Sequence, residues 1–393
     1  MAITIISIPN DSGVGNTGVV TSSPYRPTFV EVSSDSLAIV RVIADVYVEG
    51  ILKGTVEKEP VLGTTDNFKI EIGEIDKKYL DSEFHNTALF LEVHENIISA
   101  KEFDLVIYEV TEVGGLLVTT WEENGAGIGG LGTSDIYQFN GVNNHLQDLT
   151  QRFCDGITKK FLTNRPQNSN IINNQIYHCG ILPDTEGYNT LISVEEFDGN
   201  NGTGTSLSVT ASTNLSVGRR KASYTIDTTQ LNPLTKSIIY HIKDGFTSLQ
   251  ITEFFTVNVV SECNDEVNLF WQNHWGQFDQ YFFAGNQTQN TKNKTKSIVN
   301  RLPLDYNVEQ RGKRDIKKIN TREFEIFTRT ENPEVVEWLA EIGESVDVYI
   351  MIGTDRVAIN VKSVTTNIVD EDDVVVQINI KYTLSNERIN QIG

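Results

Sequence analysis

The sequence predicts a mostly β protein, built as two or three β-sandwich-like domains with few short helices. Apolar residues alternate with polar ones at a period of two rather than 3.6, which is typical of half-buried strands. The apolar runs are short, rich in β-branched residues and bounded by Gly, Asn, Asp or Pro. With 393 residues the chain exceeds the roughly 250 to 300 at which a single core stops growing, so more than one domain is expected.

The first predicted domain, residues 1–112, is an N-terminal β-sandwich. Glu49 and Gly50 separate two apolar runs and suit a hairpin turn. Residues 74–82 are one of the few helical candidates. The candidate strands, at a spacing typical of a sandwich, are residues 29–32, 38–48, 53–56, 68–72, 88–94 and 104–109.

The second predicted domain, residues 113–264, is β-rich with flexible loops rich in glycine and asparagine, at 125–132 and 198–205. The first loop matches GxGxxG, the pattern of a dinucleotide site. Such a site needs a strand before the loop and a helix after it, and residues 132–139 instead indicate a turn into a strand. A conformational loop is therefore the favoured interpretation. Candidate strands follow at residues 206–211, 222–225, 237–242 and 254–260.

The third predicted domain, residues 265–393, is a β domain with one helix at about 333–342. Asn332 suits the N-cap, Pro333 the first helical position and Gly343 the C-terminal cap. Val336, Leu339 and Ala340 are expected to face a sheet. Residues 286–296 indicate a polar loop, and the candidate strands are residues 323–329, 345–352, 358–364 and 374–384.

Residues 269–283 form the densest aromatic stretch, and residues 273–276 would supply the turn of a hairpin. Such a stretch can fill a core, anchor a protein interface or stack on sugars, and these three interpretations stay open. The candidate interface residues of this stretch are Trp271, Trp275, Phe278 and Tyr281.

Charge is segregated along the chain. The net charge is −21, which argues against sequence-independent nucleic-acid binding, yet residues 292–322 carry ten basic and three acidic side chains. This segment is either a solvated strand face and loop or a patch that docks on an acidic surface of a neighbouring copy or partner. Its candidate interface residues are Lys292, Lys294, Lys296, Arg311, Lys313, Arg314, Lys317 and Lys318.

No strong catalytic pattern is present, so no enzymatic activity and no cofactor are expected. The six histidines lack HxH, HxxxH or HExxH spacing, and no GxSxG nucleophile elbow occurs. Cys154, Cys179 and Cys263 are odd in number and widely spaced, which predicts synthesis in a reducing cytoplasm. Neither a signal peptide nor a membrane-spanning segment is expected.

Three groups of short motifs, in order along most of the chain, resemble structural proteins of phages that infect Bacteroidota, the crAss-like group included. They lie at residues 27–33, 44–50 and 67–70, then at 137–142 and 160–166, and finally at 269–283, 337–342 and 346–350. Residues 184–252 depart from the pattern and would be an inserted decoration or a partner-specific domain. The resemblance implies a subunit of rings, hubs or collars between capsid and fibres, without catalysis.

The leading hypothesis is therefore a virion subunit of the tail, tail hub or neck ring that acts by oligomeric self-assembly with other virion proteins. Residues 286–322 are expected to contact a neighbouring subunit, and the loops at 125–132 and 198–205 to order on assembly. The alternative is a receptor-binding or glycan-binding fibre-attachment adaptor with Trp271 and Trp275 exposed. A hydrolase of cell-surface glycans is the third hypothesis.

Overall fold

A computed structural model gives the architecture. It describes residues 3–7, 20–22, 29–34, 39–48, 50–59, 68–71, 75, 77–79, 91–95, 100–113, 116–124, 136–139, 153–154, 158–173, 176–183, 189–197, 209–214, 222–245, 247–260, 267–283, 287–299, 313–352, 355–370, 375–385 and 391–392. Strands dominate these residues, so the predicted mostly β fold is confirmed. The loops predicted at 125–132 and 198–205 lie outside the described residues.

The strands are numbered in chain order: β1 (Ile3–Ser7), β2 (Val20–Ser22), β3 (Phe29–Ser34), β4 (Ile39–Val48), β5 (Ile51–Lys58), β6 (Phe68–Glu71), β7 (Leu91–Glu95), β8 (Ala100–Val113), β9 (Leu116–Asn124), β10 (Ile136–Phe139), β11 (Phe153–Cys154), β12 (Ser169–Ile172), β13 (Ile176–Pro183), β14 (Asn189–Phe197), β15 (Val209–Asn214), β16 (Ala222–Asp227), β17 (Ser237–Asp244), β18 (Phe255–Val260), β19 (Val267–Gln272), β20 (Phe278–Phe283), β21 (Thr288–Val299), β22 (Lys313–Thr330), β23 (Val348–Ile352), β24 (Asp355–Asp370), β25 (Val375–Leu384) and β26 (Gln391–Ile392). Helix α1 spans Pro333–Ala340, and 3-10 helices span Lys77–Tyr79, Thr228–Gln230 and Glu341–Gly343.

The chain folds into two compact units. Unit 1 comprises Met1–Val260 and Asn273–Asp279, and unit 2 comprises Ser261–Gln272 and Gln280–Gly393. The predicted boundary at residue 112 falls inside β8, one residue before its end, and β8 pairs with β9. In addition, β7 pairs with β16. Strands from the predicted first and second domains therefore share sheets within unit 1.

The β4–β5 hairpin of unit 1 shows the period-two pattern that the sequence predicts. Along β4, Val42, Ala44, Val46 and Val48 are buried, and the residues between them are partly exposed. Gly50 forms the predicted turn with a φ of 74°, a conformation that favours glycine. Strand β4 also pairs with β8, so β4 is an interior strand of a six-stranded sheet.

A β-sandwich forms the second part of unit 1. A four-stranded sheet, β11-β13-β16-β7, faces a five-stranded sheet, β12-β18-β17-β14-β15. Both sheets contribute to one apolar core, for example Tyr177 and Tyr224 from the first and Ile192 and Val257 from the second. Four strands of residues 184–252 lie in these sheets, so this region is integral to unit 1 and is not an inserted decoration.

Unit 2 is one eight-stranded sheet with a helix on one face. The strand order is β20-β19-β23-β24-β25-β22-β21, and β26 pairs with β22. Helix α1 packs on the face that carries Ile326, Ile378, Ile380 and Tyr382. We call this face of the sheet the helix face and the opposite one the open face.

Helix α1 begins as predicted and ends earlier. The Asn332 side chain accepts a hydrogen bond from the Glu334 backbone N–H at 2.9 Å, and Pro333 opens the first turn. The helix ends at Ala340 and tightens into the 3-10 turn Glu341–Gly343, so Gly343 does not cap it directly. Leu339 is buried and Val336 partly buried against the sheet, as predicted. Ala340 is exposed, and Trp338 is buried in its stead, so the prediction for Ala340 is wrong.

Candidate interaction surface

The aromatic stretch forms the predicted hairpin, with β19 and β20 joined by a tight turn. The Asn273 N–H donates to the Gln277 carbonyl at 2.8 Å, and the Gly276 N–H donates to the Asn273 carbonyl at 2.9 Å. Gly276 has a φ of 70°, which a residue with a side chain rarely adopts. The predicted turn at residues 273–276 is therefore confirmed.

Trp271, Trp275 and Phe278 are buried, with relative exposures of 0%, 1% and 1%. The Trp275 indole Nε1 donates to the Asn164 side chain at 3.1 Å. This corrects their assignment as surface anchors, because rings packed inside the chain cannot contact a partner or stack on a sugar. Tyr281 is partly exposed, and its hydroxyl lies 3.1 Å from Thr328 Oγ1.

The turn is held by the side chain of Asn273, which is itself buried. Its Nδ2 donates to the Leu162 carbonyl at 2.9 Å and to Asp279 Oδ2 at 3.0 Å. Its Oδ1 accepts from the Trp275 N–H at 2.9 Å and the Gln277 N–H at 3.1 Å. All four hydrogen-bonding positions of the amide are used, so Asn273 acts as the structural centre of this turn.

The buried polar groups around this turn form hydrogen bonds with one another or are kept uncharged by burial. The Thr163 hydroxyl donates to the Asp279 carboxylate, with Oγ1 2.7 Å from Oδ2. Burial raises the pKa of the Cys179 thiol far above its usual range, which keeps it protonated and unreactive. Burial also raises the pKa of Tyr177 to about 12, and its hydroxyl lies 2.5 Å from that of Tyr240.

Among the described residues, no group of three His, Cys, Asp or Glu side chains could hold a metal ion. His241 is buried with its ring 4.6 Å from that of Phe254, and burial, followed by the charge of Lys243, lowers its pKa to about 4. In the described part of the chain, no helix combines the length and apolar character that crossing a bilayer requires.

The predicted polar loop at 286–296 is instead a strand. Strand β21 pairs antiparallel with β22 from Thr288 opposite Glu325 to Val299 opposite Lys313. Residues 323–330 of β22 also pair with β25, whereas among the described residues 313–322 meet only β26 on that side, at Lys317 and Lys318. Strand β21 and residues 313–322 therefore form a two-stranded extension of the sheet, which we call the basic ribbon.

The basic ribbon carries eight Lys or Arg and one acidic residue, Asp315. Lys296 is exposed. Lys296 lies opposite Lys317, and Thr295 opposite Lys318. The predicted contact residues of β21 are Lys292, Lys294 and Lys296, and those of β22 are Lys313, Arg314, Lys317 and Lys318. Arg311 lies outside the described residues. The backbone thus brings seven of the eight predicted basic residues together.

A second charged element was not predicted from the sequence. Residues 331–347 contain six acidic residues and no basic one. Glu331, Glu334, Glu337 and Glu344 are exposed on and around α1. These glutamates are three or seven residues apart, a spacing that recurs on one side of a helix. The sequence could therefore have indicated an acidic helix surface. We call residues 331–347 the acidic helix segment.

Comparisons with known proteins assign no family. No protein-family model and no curated protein matches the chain. Among solved structures, one titled "Crystal structure of CBD12 from CALX1.2" is similar at 8% identity over 66% of this chain and 99% of that chain, with a TM-score of 0.20. A likeness at this level carries no argument about function, and the β architecture rests on the strand pairing.

Proposed function

We propose that this chain is a structural subunit of a bacteriophage particle, located in the tail, the tail hub or the neck ring, and that it acts by oligomeric self-assembly with other virion proteins. The observation that carries the proposal is the basic ribbon. A chain with a net charge of −21 concentrates eight cations and one acidic residue on an extension of its sheet.

The cost of this arrangement supports an assembly role. Lys296 and Lys317 face each other across the ribbon, where directly opposed residues have Cβ atoms about 4.5 to 5.5 Å apart. Like charges at this distance destabilise a strand pair. An acidic surface on a neighbouring subunit would reverse the sign of that interaction, so the ribbon is suited to a contact that the isolated chain does not make.

The proposal is tested on the purified full chain and on native particles. Analytical ultracentrifugation should give a mass of several chains that falls as salt is raised, since added salt screens surface charges. Negative-stain electron microscopy should show closed rings or discs, and antibody labelling of native particles should mark the tail or neck. A chain that stays monomeric at all concentrations and is missing from particles would refute it.

A further inference from the structure

The acidic helix segment and four lysines of the basic ribbon, Lys292, Lys294, Lys296 and Lys317, lie on opposite faces of the same sheet. Helix α1 and its acidic side chains cover the helix face, above Ile326 and Ile380. Side-chain positions alternate along a strand, so odd-numbered residues of β22 from 317 to 329 belong to the open face. The register then places residues 292, 294 and 296 on this open face, across from 321, 319 and 317. We call Lys292, Lys294, Lys296 and Lys317 the open-face lysines; by the same alternation Lys318 and Arg322 belong to the helix face.

This arrangement prevents the open-face lysines from meeting the acidic helix segment within one chain. The sheet separates the open-face cations of the ribbon from the glutamates outside α1. Among the described residues, Glu331, Glu334 and Glu337 form no ion pair. A contact between the open-face lysines and the acidic helix segment therefore requires two chains.

A two-fold contact of ribbon with ribbon is also disfavoured. An isologous interface brings the same patch of both copies together, so the cations of one ribbon would face those of the other. A reciprocal two-fold contact, ribbon to helix and helix to ribbon, would need both patches on one side of the chain, whereas the open face and the helix face point in opposite directions. A heterologous interface, which repeats from copy to copy, has no such requirement.

We propose that the basic ribbon of one copy docks on the acidic helix segment of the next copy, so that the chain assembles head to tail. This proposal rests on the proposed self-assembly and names its contact and symmetry class. The occupant follows from charge: the four open-face lysines meet the four exposed glutamates of the acidic helix segment, Glu331, Glu334, Glu337 and Glu344.

Edge protection is a competing explanation, because lysines on an edge strand discourage aggregation. It accounts for Lys292, Lys294 and Lys296 of β21. It does not account for glutamates near the C-terminal end of α1, where the helix dipole disfavours negative charge and no basic residue lies in the last turn. A head-to-tail contact explains both elements.

The test is a charge swap in the full-length protein. The ribbon variant is Lys294→Glu with Lys296→Glu, and the helix variant is Glu334→Lys with Glu337→Lys. Each alone should raise the concentration for half-assembly about a hundredfold, since like charges across an interface cost several kcal/mol. All four substitutions in one chain should restore assembly to within about tenfold of the original, and so should an equimolar mixture of the two double variants.

Matched controls carry the same charge change in unit 1, at exposed residues. Glu59→Lys with Glu71→Lys mirrors the helix variant, and Lys58→Glu with Lys160→Glu mirrors the ribbon variant. Both controls should assemble within about threefold of the original chain. Circular dichroism and thermal unfolding establish that every variant is folded, and Glu334→Gln with Glu337→Gln supplies a milder helix variant if the reversal unfolds α1.

The outcomes separate this proposal from the proposed function. Normal assembly of the original chain without rescue by the swap would overturn the head-to-tail contact alone, whereas a strictly monomeric original chain would overturn both. A 30-base-pair DNA duplex is added in a separate arm. Binding that requires Lys294 and Lys296, with assembly unaffected by their reversal, would overturn the proposal in favour of a nucleic-acid contact.

Discussion

Asn273→Ala is expected to destabilise unit 1 by about 4 kcal/mol. The substitution removes four hydrogen bonds, two donated by Nδ2 and two accepted by Oδ1. A buried protein hydrogen bond contributes about 1 kcal/mol net, and groups left without it bear a desolvation cost. Asn273 is only 4% exposed, so water cannot readily replace the hydrogen bonds that its side chain made.

Urea unfolding measures this loss, and hydrogen exchange localises it. Exchange at the backbone amides of Trp275 and Gln277 should accelerate before that of β17, because the turn opens first. Asn170→Ala is the matched control, since the Asn170 side chain is exposed and makes one long contact of 3.5 Å. A loss below about 1 kcal/mol for Asn273→Ala would refute the assignment of Asn273 as the structural centre of the turn.

Asn273→Asp keeps the size and shape of the side chain but removes the two hydrogen bonds that Nδ2 donates. It keeps the acceptor for Trp275 and Gln277 but sets a carboxylate against Asp279, whose Oδ2 lies 3.0 Å from the native Nδ2. Two carboxylates at this distance raise the folded-state pKa of one of them. The folded protein then binds more protons than the unfolded chain, so the stability of this variant should recover as pH falls towards about 4. Stability that keeps falling with pH, in parallel with the original chain, would contradict this account.

Three further predictions concern buried side chains. Trp338→Ala should cost about 3 to 5 kcal/mol in urea unfolding, because Trp338 is 1% exposed and packs 5.0 Å from the Trp271 ring, whereas exposed Glu337→Ala should stay within about 0.5 kcal/mol. Burial lowers the pKa of His241 to about 4, below its unfolded value of about 6.5. The stability from neutral His241 is thus complete above pH of about 6.5 and lost as pH falls towards 4, and His241→Gln should flatten this part of the profile in thermal unfolding. The Cys179 thiol, whose pKa burial raises, should react with iodoacetamide only after unfolding; rapid labelling of the folded chain would contradict its burial.

Features set by neighbouring residues were predictable from the sequence. The cap of α1 needs only Asn332 and Pro333, and the aromatic hairpin needs only the turn at 273–276, so both were predicted at the right place. Strand β4 was predicted because its alternation reflects burial of one face.

Features set by distant partners were not predictable. Strand β21 has the composition of a polar loop, and its strand conformation comes from twelve backbone pairs with β22. The buried Trp275 indole donates its hydrogen bond to Asn164, which lies 111 residues earlier in the chain. Local propensity carries no signal of either partner. The acidic helix segment is a different case, since its spacing was present in the sequence and gained meaning only when α1 was placed on the sheet.

The electrostatics of unit 2 oppose the stability of the isolated chain at two separate places. Glu337 is exposed in the last turn of α1, where a carboxylate costs roughly 0.3 to 1 kcal/mol against the helix dipole. In the basic ribbon, same-face neighbours such as Lys294 and Lys296 are about 7 Å apart along the strand, within the Debye length of about 8 Å at physiological salt. Cations brought to the end of α1 would reverse the first penalty, and carboxylates brought to the ribbon would reverse the second. The proposed head-to-tail contact would supply both at once, so that the charges that weaken the single chain would become the source of the free energy that joins two.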